Sequence, residues 1–217
     1  MPNHVYTKLT ITGPIKQIKQ FVADVDGGPA NRLDCDKVWP MPDELRKTSS
    51  PNKVMTQAEI DQLWAEFNKL SDENKAKFGG KPFGLGMLQE VHDELVAKHG
   101  FDNWYDWSIA NYGTKWGIYD TAEWSEGIAD ASLFYCTAWG PADKFFLNVS
   151  TKYPYLLFDT IFADEGGAYV GHESYRNGEL IESDSYDWND SEGYDIREIL
   201  GLTDDFEDDV DEKTVTE

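Results

Sequence analysis

Residues 4–14, HVYTKLTITGP, decide the fold of this chain. Val5, Thr7, Leu9 and Ile11 alternate with Tyr6, Lys8, Thr10 and Thr12, the period-two pattern of a half-buried strand. Gly13-Pro14 breaks that strand, and Pro14 suits the first turn of a helix. Ile15, Ile18, Phe21, Val22 and Val25 then recur at helical spacing and give one apolar face, until Gly27-Gly28-Pro29 ends the run. RLDCDKVW at 32–39 reads as a short second strand, closed by Pro40-Met41-Pro42.

The same series of signals returns in the second half. SLFYCTA at 132–138 reads as a strand, Gly140-Pro141 repeats the earlier break, and Ala142, Phe145, Phe146 and Val149 supply a second helical face. YLLFDTIFA at 155–163 is the next strand, turned by Glu165-Gly166-Gly167 into AYVGHESY. Asn177-Gly178 is a strong hairpin signal leading into ELIES. Two strand–helix–strand units and an added hairpin predict an α+β, ferredoxin-like sandwich with its core in residues 1–42 and 131–181. In that order the second and third strands are antiparallel neighbours, which would bring Cys35 and Cys136 close together; both are expected to be reduced thiols. Residues 43–130 read as a helical, aromatic-rich insertion. Thr56 and Glu59 form a capping box ahead of Ile60, Leu63, Trp64, Phe67 and Leu70, and Leu88, Val91, Leu95 and Val96 mark a second helix. From about 100 to 130 the pattern is aromatic and irregular.

Composition limits the partners. The chain has 217 residues, with 19 Lys+Arg against 41 Asp+Glu, a formal charge of −22 and 14% aromatic residues. That aromatic content can bury enough area for most of the chain to fold despite its charge. A molecule this acidic is repelled by phosphate backbones and anionic lipid, so neither direct nucleic-acid binding nor membrane-surface binding is expected. No apolar run approaches a membrane span and no secretory segment opens the chain, so a cytoplasmic protein is expected. The charge is also uneven. Residues 182–217 hold 15 Asp+Glu against Arg197 and Lys213, a net of −13 that leaves −9 for the first 181 residues. This segment reads as an acidic tail in which a short helix around Ile196, Ile199, Leu200 and Leu202 docks, while TDDFEDDVDEKTVTE at its end is mobile.

Several motifs together resemble a known family. The opening MPNHVYTKLTITGP, the WPMP turn after residue 38, NYGTKWG at 111–117 and TAWGP at 137–141 fall in the order shown by the YubB ferredoxin-like family of bacteriophages and conjugative plasmids. The resemblance spans roughly residues 1–175; His4 and Tyr112 stand where that family commonly has Trp. It implies a phage or mobile-element accessory protein and carries no established activity.

Reaction chemistry is sparse. Lys115, flanked by Trp116 and near Trp107 and Asn111 in sequence, is a candidate pocket cation for a small-molecule or nucleotide-processing enzyme; its structural alternative is a lysine snorkelling out of packed rings. His92 and His99 lie too far apart along a helix for one metal, and no paired-ligand spacing appears, so no catalytic residue, metal or cofactor is expected. Asp187, Asn189, Ser191, Asp195 and Glu198 fall at positions 1, 3, 5, 9 and 12 of a calcium-loop pattern, but the turn glycine is displaced, with Glu192 at position 6 and Gly193 at 7. The open sheet face has the topology of an RNA platform and the wrong charge for one. The reading that remains is electrostatic. Asp184, Asp187, Asp190, Glu192 and Asp195, with Tyr186 and Trp188 as anchors, form a surface that would imitate a nucleic-acid backbone. It would occupy a basic nucleic-acid-binding surface on a host protein, such as a CRISPR effector or restriction enzyme.

Overall fold

The computed structural model describes residues 3–203. In chain order it contains β1 (His4–Thr12), α1 (Ile15–Val25), α2 (Cys35–Val38), α3 (Asp43–Arg46), α4 (Gln57–Asn68), α5 (Asp72–Lys77), α6 (Gln89–His99) and α7 (Trp104–Tyr112). There follow β2 (Ser125–Glu126), β3 (Asp130–Ala138), α8 (Asp143–Ser150), β4 (Leu157–Asp164), β5 (Val170–Arg176), β6 (Glu179–Tyr186) and α9 (Ser191–Leu200). None of these helices is long and apolar enough to cross a membrane. Two compact units divide the chain, one built from residues up to Trp39 and from Asn111 onward, the other from Pro40–Ala110. Residues 111–130 therefore belong with the sheet.

The sheet unit holds six antiparallel strands in the order β2-β3-β1-β4-β5-β6. β1 sits at its centre because its alternation lets one face be buried completely: Val5, Leu9 and Ile11 are fully inaccessible. Their cross-strand neighbours Leu133 on β3 and Phe158 on β4 are equally buried, and Tyr135 opposes Thr7. Rings from the two helices that follow β1 and β3 complete this core. Phe21 on α1 makes edge-to-face contacts with Tyr153 and Phe158 at centroid distances of 5.1 Å, and Phe146 on α8 stacks near Tyr175 at 6.1 Å. This is the ferredoxin-like α+β arrangement, extended on one side by the β5–β6 hairpin. Asn177 and Gly178 both adopt positive φ, 51° and 79°, as a two-residue hairpin turn requires.

One strand falls elsewhere than the sequence pattern predicts. Residues 32–39 do not form a strand; Asp34 accepts a hydrogen bond from the Asp36 amide at 3.0 Å and caps the short helix α2. Cys35 and Val38, three apart, are its buried residues, so the apolar spacing is helical. The second-strand position beside β3 is filled by residues 119–126, through the Tyr119–Cys136 bridge, the Ala122 amide on the Phe134 carbonyl and β2 itself. Cys35 and Cys136 are both free thiols. Burial pushes both thiols up, that of Cys136 to about 11, which makes them poor nucleophiles.

The 40–110 unit is helical. Its α4 carries the full capping box, with Thr56 and Glu59 bonding each other's backbone amides. Of its apolar residues only Phe67 is buried. α7 shows that the aromatic stretch after residue 100 is helical from Trp104 to Tyr112 rather than irregular. A cleft of about 410 Å³ opens within this unit, lined by Glu44, Thr48, Asn52, Lys81, Met87 and Leu95 among others.

Candidate functional site

The acidic segment begins inside the sheet. Residues 182–186 are the second half of β6, an edge strand exposed at every position except Tyr186. An edge strand with one open side carries no packing demand, so its side chains are free to be Glu182, Ser183, Asp184 and Ser185. The chain then turns at Asp187–Asp190. The Asp187 carboxylate accepts from the Asn189 amide at 3.1 Å, and that of Asp190 accepts from the Asp187 amide at 3.3 Å. Asp190 takes the N-cap position of α9, and Glu192 lies in its first turn, where a negative charge suits the helix dipole.

The short helix expected around Ile196, Leu200 and Leu202 does dock, and Trp188, Tyr186 and Arg197 help to hold it. Ile196 packs with Ala163 and Val170 in a small core, flanked by Ile161, Tyr186, Trp188 and Leu200. Arg197 is almost fully buried, with its guanidinium 4.8 Å from the Trp188 ring and 5.4 Å from that of Tyr194. Trp188 also lies over Gly167, and Gly193 brings α9 so close to the Asp187 carbonyl that a Cβ there would stand 2.2 Å from it. Tyr186 and Trp188, expected as anchors for a partner, are half-buried and pack against α9; Tyr194 is 49% exposed. The carboxylates of Asp184, Asp187, Asp190, Glu192 and Asp195 are all exposed. They stand on a fixed strand, turn and helix. Residues 204–217, where most of the segment expected to be mobile falls, lie outside the described residues.

α9 also bears on two other expectations. Its helix runs through Ser191, Asp195 and Glu198, so these residues do not form a calcium loop. Its contacts with β4, β5 and β1 cover part of the sheet face that an RNA platform would need.

Around Lys115 the structure shows an occupied cage. The Lys115 ammonium lies 4.7 Å from the Trp116 ring centroid and 4.5 Å from that of Trp139. Asn111 accepts a hydrogen bond from the Trp39 indole at 3.2 Å, and its backbone carbonyl accepts from Asn148 at 3.1 Å. Trp107 is buried within the 40–110 unit. Each of these side chains has a packing or hydrogen-bonding role.

A second feature lies across the same hairpin. Among the described residues, His172, Glu182 and Asp184 bring their ligand atoms within 4.8 Å of one another. Each was visible in the sequence, but no linear spacing joins residues 172 and 182.

Comparison with known proteins narrows the family. Residues 111–208, just under half of the chain, match the family described as the ferredoxin-like domain in Api92-like protein. This is a different family from YubB, and it corrects that resemblance; what stands is likeness to an uncharacterised ferredoxin-like family. The matched segment contains β2 to β6 and α9 but not β1, the central strand. A crystal structure of protein api92 from Yersinia pseudotuberculosis is similar at 13% identity, covering 86% of this chain and 98% of that one, with a TM-score of 0.41. No curated protein matches.

Proposed function

We propose that this chain is a binding protein that presents the acidic corner formed by β6 and α9 to a basic, nucleic-acid-binding surface of another protein. The observation that carries this reading is the rigid mounting of the charge. Asp184, Asp187, Asp190, Glu192 and Asp195 stand on an edge strand, its turn and a helix that Arg197, Trp188 and Ile196 lock to the sheet. Carboxylates held at fixed spacing on a surface can match several cationic side chains at once without the ordering cost that a loose tail pays. The exposed Tyr194 ring gives the patch an apolar contact beside the charge. In a bacterial cell, proteins with such basic clefts include CRISPR effectors and restriction enzymes. An accessory protein of a phage or plasmid that blocks one of them is the specific form of this proposal.

The test is affinity capture from bacterial lysate with wild-type protein beside a variant carrying Asp184, Asp187, Asp190 and Asp195 all changed to Asn. The expected partner is a nucleic-acid-binding protein, released by duplex DNA and by salt above ~0.1 M, where the screening length falls to about 10 Å. The variant should lose it. Capture that survives both the four substitutions and competing DNA would sink the proposal.

A further inference from the structure

The sheet face that carries α9 also brings four side chains of three neighbouring strands together. His172 on β5 lies directly opposite Asp184 on β6. Glu182 is two residues back along β6 and therefore on the same face. Asp159 on β4 opposes Ser174, which places it diagonally across from His172. The His172 ring is 18% exposed, while both β6 carboxylates are open to solvent.

The ring's hydrogen bond fixes its chemistry. Nε2 lies 2.5 Å from Asp159 Oδ1, and a carboxylate can only accept, so Nε2 carries the proton. In the neutral imidazole this leaves the Nδ1 lone pair on the opposite edge, where Asp184 Oδ2 stands 3.8 Å away and Glu182 completes the group. Three electron-pair donors thus converge on one point, which is repulsive when empty and favourable around a cation. A carboxylate hydrogen-bonded to the far nitrogen of a ligating histidine is the usual outer partner that orients such a ring and raises its basicity.

We propose that His172 Nδ1, Glu182 and Asp184 bind a divalent transition-metal ion of the zinc class, with Asp159 as the residue that positions the ring. The mixed nitrogen and oxygen donor set selects this class, because calcium and magnesium favour all-oxygen shells. The ligand atoms need to close by about an ångström to reach bonds of ~2.0–2.2 Å, and rotation of the two exposed carboxylates supplies that movement. Three protein ligands on an open strand edge leave further coordination positions to water. The ion would also cancel the repulsion between Glu182 and Asp184 and tie the edge strand β6 to β5. The site shares Asp184 with the acidic corner, but it needs no partner and uses none of the charge on α9, so His172→Gln and Glu182→Gln test it without touching the four aspartates of the capture variant.

The test is a Zn²⁺ titration of the full chain by calorimetry in millimolar Mg²⁺, which occupies carboxylate-only sites, together with ¹⁵N spectra of the histidine rings. A single Zn²⁺ per chain is expected, with the His172 Nδ1 resonance shifting while Nε2 keeps its proton. Asp159→Asn should weaken binding about 10–100-fold, and His172→Gln or Glu182→Gln at least as much. Because Glu182 is exposed, its substitution leaves folding intact and keeps the test decisive. Asp187→Asn with Asp190→Asn should change nothing. Equal Zn²⁺ affinity in wild type and His172→Gln would overturn the proposal. So would a titration without saturation in which Nδ1 is found protonated, which would make the cluster an imidazolium–carboxylate network.

Discussion

β1 and β6 are strands of nearly equal length in one sheet, and they show opposite uses of sequence. Along β1 every second residue is buried and the pattern admits almost no variation, because a change of one position would turn Val5, Leu9 and Ile11 toward water. Along β6 seven of eight positions are exposed. The centre of the sheet spends its residues on packing, while the edge is free to carry charge and metal-binding side chains. The difference is one of neighbours: β1 pairs with a strand on each side, whereas among the described residues β6 pairs with β5 alone.

The largest expected effect tests that contrast directly. Leu9→Ala removes a fully buried side chain from the middle of the core and should cost about 3–5 kcal/mol, read as a lowered urea midpoint. Ile181→Ala on β6, at a position 55% exposed, should cost no more than ~0.5 kcal/mol. Similar losses at both sites would break the comparison.

A smaller effect sharpens it. Pairing with β5 holds Asp184, whereas the turn and helix that carry the rest of the acidic corner are held by the clamp on α9, of which Arg197 is the buried charge. Arg197→Ala removes both ring contacts and should cost about 1–2 kcal/mol. The loss should be local, with proteolysis appearing first near residues 187–200 while the unfolding midpoint of the β1 core moves little. Cleavage spread evenly over the chain would show that α9 is part of the global folding unit.

How much of this was legible in sequence follows the same division. β1, β3, β4 and the hairpin could be read from Leu9, Phe134 and Asn177-Gly178, since alternation and turn residues are local signals. The second strand could not. RLDCDKVW has the residues of a strand, but Asp34 supplies a helix cap, and the position beside β3 falls to a stretch around Tyr119 with no alternation to mark it. The candidate sites split likewise. The acidic residues were legible as composition. Their mounting was not, because Trp188 and Arg197 are nine residues apart and meet only through the turn before α9. The His172 cluster joins three strands, so no spacing rule within one segment could find it.

The finest test lies on β5, between the packed centre and the open edge. Glu173 faces inward, beside Thr160 on β4, and the Tyr175 hydroxyl donates to its carboxylate. Burial raises its pKa, the Tyr175 hydrogen bond lowers it, and the nearby Asp143 charge raises it further, for a net rise above 4.5. A carboxyl whose pKa rises on folding binds its proton more tightly in the native state. Its favourable contribution is therefore complete below the unfolded value and is lost as pH climbs through the folded one. Glu173→Gln keeps an acceptor for Tyr175 and cannot ionise. The variant should match wild type in acid and become the more stable protein as pH is raised above 4.5, by less than either effect above. Unfolding free energies compared at several pH values read this slope. A constant difference, or one in which wild type gains as pH rises, would show that Glu173 already behaves as an edge residue and would move the boundary between packed and open sheet inward by one strand.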